Sequence, residues 1–206
     1  MTLFEHLSLF KRPTSEEDLT KAFQELAPHF IYGGYIAVDD AYQIYIRTVE
    51  FYFHDESDAK NAIKDPIVYH RNNRIKGLNP PYFPLMSLHT HQSGIDITFE
   101  NEEQQYRASA LIREFSVFDR KTHQFLKFNG KERDDRSTFL YDFLNGFSLH
   151  EVSTIVWVDN PHTPQRELKS GTRKNVFVYK EGIKTKEHDK RMWCFKLNED
   201  IWLPTI

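Results

Sequence analysis

Residues 34–53 decide the fold, because they read GYIAVDDAYQIYIRTVEFYF. Two runs rich in β-branched and aromatic residues, Gly34–Val38 and Tyr42–Phe53, flank the turn-forming pair Asp39-Asp40. This pattern is typical of a β-hairpin. It predicts a hairpin whose second strand is long.

More strands are expected after this hairpin. Five further runs have a similar composition: Ile95–Phe99, Ala108–Phe115, Thr154–Val158, Asn175–Tyr179 and Met192–Leu197. Helical patterns do not alternate with these runs, so a doubly wound parallel sheet is not expected. The sequence therefore predicts a mostly antiparallel β structure.

Two helices are predicted beside the strands. The first begins at a capping box formed by Thr14 and Glu17, continues with apolar residues at helical spacing and ends at Pro28. The second spans residues 137–145, where apolar side chains form one stripe and Gly146 follows as a C-cap.

Length and composition favour one folded domain. The chain has 206 residues, of which 15% are aromatic and 39% hydrophobic, and this composition excludes disorder along the whole chain. Neither an internal repeat nor a long flexible linker is visible. We expect an α+β fold in a single domain over residues 1–206, mostly antiparallel β with a few peripheral helices.

The sequence favours a cytoplasmic protein. The longest uncharged stretches, Leu78–Leu88 and Val152–Val158, are shorter than the roughly 20 apolar residues needed to cross a bilayer. Glu5 and His6 interrupt the mildly apolar N-terminal residues, which argues against a secretory signal. The single cysteine, Cys194, cannot form an internal disulfide and is expected to be a small core residue.

The charges are unevenly distributed along the chain. The formal net charge is −3, which by itself gives no reason to expect a nucleic-acid partner. However, residues 166–196 contain ten Lys or Arg against four Asp or Glu. This segment could form a basic surface or an ordinary solvated face.

Glu50 is the first candidate for chemistry. Strict alternation along the long strand places Tyr42, Ile44, Ile46, Thr48, Glu50 and Tyr52 on one face and Tyr45, Arg47, Val49, Phe51 and Phe53 on the other. A carboxylate among apolar groups needs a cationic partner or a shifted pKa, and both are common at catalytic sites. The alternative is a structural salt bridge with Arg47 or Arg113.

His89 and His91 lie on one face of an extended segment, which suits a polar pocket wall or a pair of metal ligands. A metal site could add His70, His54 or Asp96, but the sequence does not fix a third ligand. No Walker A motif, dinucleotide-binding glycine pattern or Gly-x-Ser-x-Gly elbow occurs in the sequence.

Seven short segments, spread over residues 19–197, follow one another in the order of the motifs of one enzyme family. The first three are Leu19-Thr20-Lys21-Ala22-Phe23, Arg47-Thr48-Val49-Glu50-Phe51-Tyr52 and Asp65 to Arg71, which contains His70. They are followed by Leu88-His89-Thr90-His91-Gln92-Ser93-Gly94, Ala110-Leu111-Ile112-Arg113, Ser170-Gly171-Thr172-Arg173 and Met192-Trp193-Cys194-Phe195. In this order the chain resembles the alkyladenine (3-methyladenine) DNA glycosylase family, with a family-like region of about residues 14–198.

The resemblance implies a fold like that of a formyltransferase C-terminal domain and a role in base excision repair. It implies a monomer that removes alkylated or deaminated purines from damaged double-stranded DNA by base flipping, without a metal or an organic cofactor. Glu50 would activate water and Arg113 would orient its carboxylate. The base pocket would contain Tyr52, His70, His89 and His91, and DNA would contact Ser93, Gly94, Arg173 and Lys174.

The sequence also differs from the family pattern. Ser93 stands where the family has a tyrosine that wedges into the DNA groove, and His89 and His91 replace two tyrosines. Two alternatives therefore remain open. One is a noncatalytic protein that binds a small ligand or a partner in the His-lined cleft. The other is a metal-dependent hydrolase that uses His89, His91 and a carboxylate.

Overall fold

The computed structural model describes residues 1–91, 93–128, 131–132, 140, 142–144, 154–160, 167–180 and 183–197. Two helices, α1 (Leu3–Ser8) and α2 (Glu16–Ile31), precede the strands. Residues 140 and 142–144 are also helical. The rest of the helix predicted over residues 137–145 lies outside the described residues.

The described part of the chain is dominated by antiparallel strands. They are β1 (Gly34–Val38), β2 (Tyr42–Asp55), β3 (Leu88–His91), β4 (Gly94–Thr98), β5 (Tyr106–Asp119), β6 (Gln124–Phe125), β7 (Ile155–Asp159), β8 (Leu168–Gly171), β9 (Phe177–Lys180), β10 (Ile183–His188) and β11 (Cys194–Leu197). The main sheet has the order β3-β4-β5-β2-β1-β7, and β9 pairs with β10 in a separate sheet. The predicted antiparallel β architecture is confirmed.

Strand β2 organises the main sheet. One edge of β2 pairs with β5 over almost its entire length, from Tyr42 opposite Asp119 to Asp55 opposite Tyr106. The other edge is shared, because β1 pairs with the first residues of β2 and β11 pairs with Thr48 to Glu50. The predicted hairpin of β1 and β2 is thus confirmed.

A register shift around Arg47 interrupts the strict alternation predicted along β2. Ile46 lies opposite Phe115 and Thr48 lies opposite Glu114, so two residues of β2 match one residue of β5. Arg47 is buried, and its Nε donates to Ser116 Oγ at 3.0 Å. Regular alternation therefore applies only from Val49 onward.

The two faces of β2 beyond this shift have different roles. Phe51 packs against α2, with its ring stacked on Phe23 at a centroid distance of 4.5 Å and edge-on to Phe30 at 5.4 Å. The opposite face carries Glu50 and Tyr52. One face of the sheet is therefore a core covered by α2, and the other is available for a site.

Helix α2 extends beyond the end predicted for it. Ser15, rather than Thr14, is the N-cap and accepts a hydrogen bond from the backbone N–H of Asp18, and the helix continues through Pro28 to Ile31. The prediction that Pro28 ends the helix is wrong. A proline this close to the C-terminus removes only one helical hydrogen bond, while the buried Phe30 and Ile31 stabilise the last turn by packing.

Helix α1 was not predicted, although the sequence contains a signal for it. Thr2 and Glu5 form a complete capping box, in which each side chain bonds to the backbone of the other residue. Leu3 and Leu7 of this short helix are buried. No helix in the described ranges is both long and apolar enough to cross a bilayer.

His29 should make stability depend on pH. Its ring stacks on His6 at a centroid distance of 3.5 Å. Burial, together with the charge of His6, lowers the pKa of His29 from 6.5 to about 4. Between these values the unfolded chain binds more protons than the folded one, so stability should fall as the pH decreases.

We therefore expect the midpoint of thermal unfolding to decrease between pH 6.5 and pH 4.5, and the decrease to be smaller for His29→Gln. Unfolding followed by circular dichroism at four pH values checks this, with both proteins first compared at pH 7.5. An identical pH dependence in the two proteins would contradict the assignment to His29.

Candidate functional site

A cavity of about 560 Å³ lies on the face of the main sheet opposite α2. Its floor comes from β2, β4 and β5, and the other lining residues lie at positions 67–70, 74, 91, 93, 174–177, 179 and 184. The lining residues that carry polar or aromatic side chains are Tyr52, Tyr69, His70, Arg74, His91, Ser93, Asp96, Ser109, Arg113, Lys174, Asn175, Phe177, Tyr179 and Lys184.

Two carboxylates stand in one row across the floor strands. Glu50 of β2 lies opposite Leu111 of β5, and Leu111 lies opposite Asp96 of β4 on its other side. Directly opposed residues project to the same face of a sheet. The two carboxylates are therefore two strand spacings apart, about 10 Å at the backbone, with Leu111 between them.

Glu50 is held by three donors. Its side chain is 1% exposed, and Oε2 accepts hydrogen bonds from Arg113 Nε at 2.7 Å and from the Tyr52 hydroxyl at 2.9 Å. Oε1 accepts from the backbone N–H of Lys174 at 2.7 Å. The predicted pairing of Glu50 with Arg113 is confirmed.

Arg113 and Tyr52, the two side chains that donate to Glu50, both have raised pKa values. Burial by itself lowers the pKa of Arg113, but the neighbouring Tyr52 and Glu50 raise it above its usual value, so the guanidinium stays charged. Burial, reinforced by the charge of Glu50, raises the pKa of Tyr52. The phenol therefore keeps its proton and donates a hydrogen bond to Glu50.

Asp96 is a second buried carboxylate, and unlike Glu50 it lines the cavity directly. Ser109 Oγ donates to its Oδ2 at 2.9 Å, and His91 Nε2 lies 3.2 Å from its Oδ1. The backbone N–H of Ser93 donates to His91 Nδ1 at 3.2 Å, which places the proton of a neutral His91 on Nε2, facing Asp96.

Asp96 was expected only as a possible metal ligand and not as a catalytic residue. The signal was present, because Asp96 is the one charged residue in the buried segment Gly94–Thr98. The argument that identified Glu50 among apolar neighbours applies equally to this position.

Tyr69 organises the aromatic wall of the cavity. Its ring contacts His91 at a centroid distance of 4.5 Å, His70 at 4.7 Å and His89 at 5.3 Å. His89 in turn packs on Phe83 at 4.2 Å and is not among the residues that line the cavity, so its role in the base pocket stays a prediction. Tyr69 was not predicted as a site residue.

His70 lines the inner part of the cavity, as expected of a pocket residue. It is buried, and its Nδ1 pairs with Glu100, which also accepts from Arg107 Nη1 at 3.0 Å. Within the described residues, neither His70 Nε2 nor the Tyr69 hydroxyl has a hydrogen-bond partner. Both atoms are buried polar groups that the described residues leave unsatisfied.

Arg173 lies in the interior, contrary to the DNA contact expected for it. Its guanidinium is buried, pairs with Asp65 and Asp189, and lies between the rings of Tyr52 at 4.7 Å and Trp193 at 4.9 Å. Asp65 and Asp189 therefore already neutralise the guanidinium charge that would bind a phosphate. Arg173 instead anchors the turn that presents the N–H of Lys174 to Glu50.

The other expected DNA contacts lie at different depths. Ser93 and Lys174 are exposed at the cavity. Gly94 is buried at the start of β4, with a φ of 135° that favours glycine. Only Ser93 and Lys174 are therefore accessible from the cavity.

The mouth of the cavity is cationic. Arg74, Lys174 and Lys184 are exposed lining residues, whereas the fourth lining cation, Arg113, is paired with Glu50. Asp96 is the single acidic residue among the lining residues. Two of these cations belong to the basic segment 166–196 that the sequence indicated. An anionic ligand, such as a phosphate-bearing molecule, is favoured by this distribution.

Metal ligation has little basis in the described part of the chain, where no group of three or more His, Cys, Asp or Glu side chains could hold an ion.

Cys194 lies opposite Glu50 in β11. Burial, together with the charge of Glu50, raises the pKa of its thiol to about 12, which is unsuited to a nucleophile.

Comparison of the chain with protein-family models, with curated proteins and with solved structures found no match. The resemblance to the alkyladenine DNA glycosylase family therefore stays a prediction from the sequence. The function has to be argued from the cavity and its side chains.

Removing Arg173 should strongly destabilise the protein. Arg173→Met leaves Asp65 and Asp189 buried with one fewer cation, and breaking a buried ion pair typically costs about 3–5 kcal/mol. Urea denaturation followed by tryptophan fluorescence measures the loss. The control is Arg120→Met, which removes an exposed pair with Asp40 and should leave the midpoint unchanged. Equal midpoints for Arg173→Met and the wild type would contradict a structural role for Arg173.

Proposed function

We propose that the protein is an N-glycosylase that takes one purine nucleotide of a nucleic-acid chain into the cavity and hydrolyses the bond between sugar and base. The observation that carries this proposal is the Glu50 carboxylate, which Arg113, Tyr52 and the Lys174 N–H fix directly behind the lining of a polar and aromatic cavity with a cationic mouth. Alkylated or deaminated purines in damaged DNA are the substrates, as the resemblance implies.

Glu50 is placed to act as the general base. Three donors occupy three of its roughly four acceptor positions, which leaves Oε1 able to accept a proton from one water molecule. As the bond between C1′ and the base nitrogen breaks, the base leaves with the bonding electron pair. Water then attacks C1′ and transfers its proton to Glu50.

The charges around Glu50 also suit the sugar cation that forms in such a reaction. The transition state of glycosidic bond cleavage resembles an oxocarbenium ion, which a nearby carboxylate stabilises electrostatically. Arg113 acts through Glu50, since its Nε donates to Oε2 and thereby orients the carboxylate. Arg113 is therefore a positioning residue in this proposal.

The base would bind among aromatic and imidazole rings. Tyr52 and His91 both line the cavity, and Arg173 occupies only one side of the Tyr52 ring. The Tyr69 ring packs against the His91 ring. His70 also lines the cavity, and its Nε2 has no hydrogen-bond partner among the described residues. These groups support the base-pocket roles that the resemblance implies for Tyr52, His70 and His91.

The finer fold relationship belongs to the same proposal. A mostly antiparallel sheet with few helices is compatible with the formyltransferase C-terminal-domain-like fold that the resemblance implies. The motif order over residues 19–197 supports it further.

A noncatalytic ligand-binding protein is the second candidate. The observation that favours it is the position of Glu50, which is 1% exposed behind Arg113 and Tyr52 and is not among the lining residues. In that case the three donors serve only to neutralise a buried carboxylate, and the cationic mouth binds an anionic ligand without changing it.

Glu50→Gln should lower base release by about 100-fold or more, because glutamine cannot take the proton of water. The assay measures release from oligonucleotides carrying hypoxanthine or ethenoadenine, as single strands and as duplexes, at low salt so that weak binding does not hide the chemistry. Asp96→Asn is the matched control, since it neutralises the other carboxylate of the row. It should lose less activity than Glu50→Gln.

The outcomes separate the candidates. If Asp96→Asn abolishes release while Glu50→Gln does not, the base is Asp96 and the role proposed for Glu50 is wrong. If the wild type binds the oligonucleotides but releases no base, the noncatalytic candidate is the better one. Thermal unfolding of each variant establishes that lost activity does not reflect lost structure.

A further inference from the structure

The loop of residues 72–81, at the rim of the cavity, is built on a buried arginine. Arg107 Nη2 donates to Asn72 Oδ1 at 2.9 Å and to the Pro80 carbonyl at 2.6 Å, and Nη1 donates to the Pro81 carbonyl at 2.9 Å. The same guanidinium pairs with Glu56 and Glu100 and packs over the ring of Tyr82 at 3.9 Å. A single buried group thus holds both ends of the loop.

The tip of this loop is also held by its own backbone. The N–H of Asn73 donates to the carbonyl of Leu78 at 2.9 Å, and the N–H of Leu78 donates to the carbonyl of Ile75 at 2.9 Å. Asn73 and Gly77 adopt positive φ values of 53° and 80°, which allow the chain to turn within so few residues. The tip therefore has a defined shape before any partner binds.

This preformed tip exposes apolar side chains between cations. Ile75 is 67% exposed and Leu78 is 53% exposed, while Arg74 and Lys76 flank Ile75 in sequence. Arg74 lines the cavity, with its Cζ 6.0 Å from the centroid of the Tyr69 ring. Large apolar side chains grouped on a rigid cationic loop are typical of a contact surface rather than of a solvated one.

A second exposed isoleucine lies next to a cavity-lining cation. Ile183, at the start of β10, is 71% exposed, and its neighbour Lys184 lines the cavity. Lys184 Nζ also lies 4.1 Å from the ring of Phe177. Ile75 and Ile183 are therefore each exposed beside a lining cation, while the lining residue Ser93 is small and polar.

We propose that loop 72–81 opens double-stranded nucleic acid, and that Ile75 enters the base stack at the place left by the nucleotide that moves into the cavity. This inference rests on the proposed function. Unstacking a base costs a few kcal/mol, which an inserted apolar side chain partly offsets. Arg74 and Lys76 supply the charge for the phosphates beside the gap.

Rigidity is what makes the loop suited to this role. An apolar side chain on a flexible loop would have to be ordered at each binding event, and that loss of entropy would oppose insertion. Arg107 supplies the order in advance, because it joins Asn72, Pro80 and Pro81 in the folded protein. Ile75 thus takes the role that Ser93 is too small to fill.

The test compares duplex with single-stranded DNA on the full chain. Oligonucleotides carry hypoxanthine with 2-aminopurine as its neighbour, whose fluorescence rises when the stack opens. The measured quantity is the rise in 2-aminopurine fluorescence on adding protein, taken as the ratio of the rise in duplex to the rise in single-stranded DNA. Ile75→Ser should lower this ratio by about tenfold, which corresponds to a loss of about 1.4 kcal/mol in the free energy of inserting the side chain. Ile75→Phe should preserve the ratio.

Leu9→Ser is the matched control, because Leu9 is 63% exposed and is not among the lining residues. It should leave both responses unchanged. An unchanged ratio for Ile75→Ser, or an equal loss on duplex and single strand, overturns the inference. Binding of the wild type to anionic phospholipid vesicles that Ile75→Ser loses, with DNA responses unchanged, also overturns it and assigns the tip to a lipid surface.

Base release, measured in parallel, separates this inference from the proposed function. Stack opening by the wild type without release contradicts the glycosylase while leaving the role of Ile75 intact. Release from single strands without any opening of duplexes overturns the role of Ile75 and leaves the glycosylase supported.

Discussion

The antiparallel pairing of β2 with β5 is the constraint on which the rest of the molecule depends. From Val49 onward it directs Phe51 and Phe53 into the core under α2 and directs Glu50 and Tyr52 to the opposite face. A carboxylate that this pairing buries must be neutralised by its surroundings. The positions of Arg113 and of the turn that carries Lys174 follow from that requirement.

Buried charge is therefore the recurring feature of the face that carries the cavity. Glu50, Asp96, Arg107 and Arg173 are all buried, and each is paired or hydrogen-bonded to a residue of another segment. Such groups contribute less to net stability than apolar packing of the same volume would. Their value lies in geometry, since they fix the carboxylates of the floor and the loop at the rim.

Much of the fold follows from local patterns. Four features were predictable: the β1 and β2 hairpin, the main strands, the start of α2 within two residues, and the pairing of Glu50 with Arg113. Strand alternation and helix capping depend on residues close in sequence, and a buried charge needs an opposite charge because burying it alone is costly. Pro28 was misread because the packing of Phe30 and Ile31 outweighs one missing hydrogen bond. Tyr69 was missed because an isolated tyrosine has no spacing motif. Asp96 was considered only as a possible metal ligand, although it is the one charged residue of a buried strand.

The sequence by itself determined which residue types had to be buried, and hence the antiparallel sheet, the core face of β2 and the candidacy of Glu50. Only the tertiary structure decided which side chains meet at the cavity. It placed Arg173 in the interior and brought Asp96 into one row with Glu50. It also set Arg74 of loop 72–81 at the cavity and left Ile75 and Leu78 exposed. The reason is physical, since burial can be read from local composition, whereas contacts between distant segments depend on strand register and on how each buried charge finds its partner.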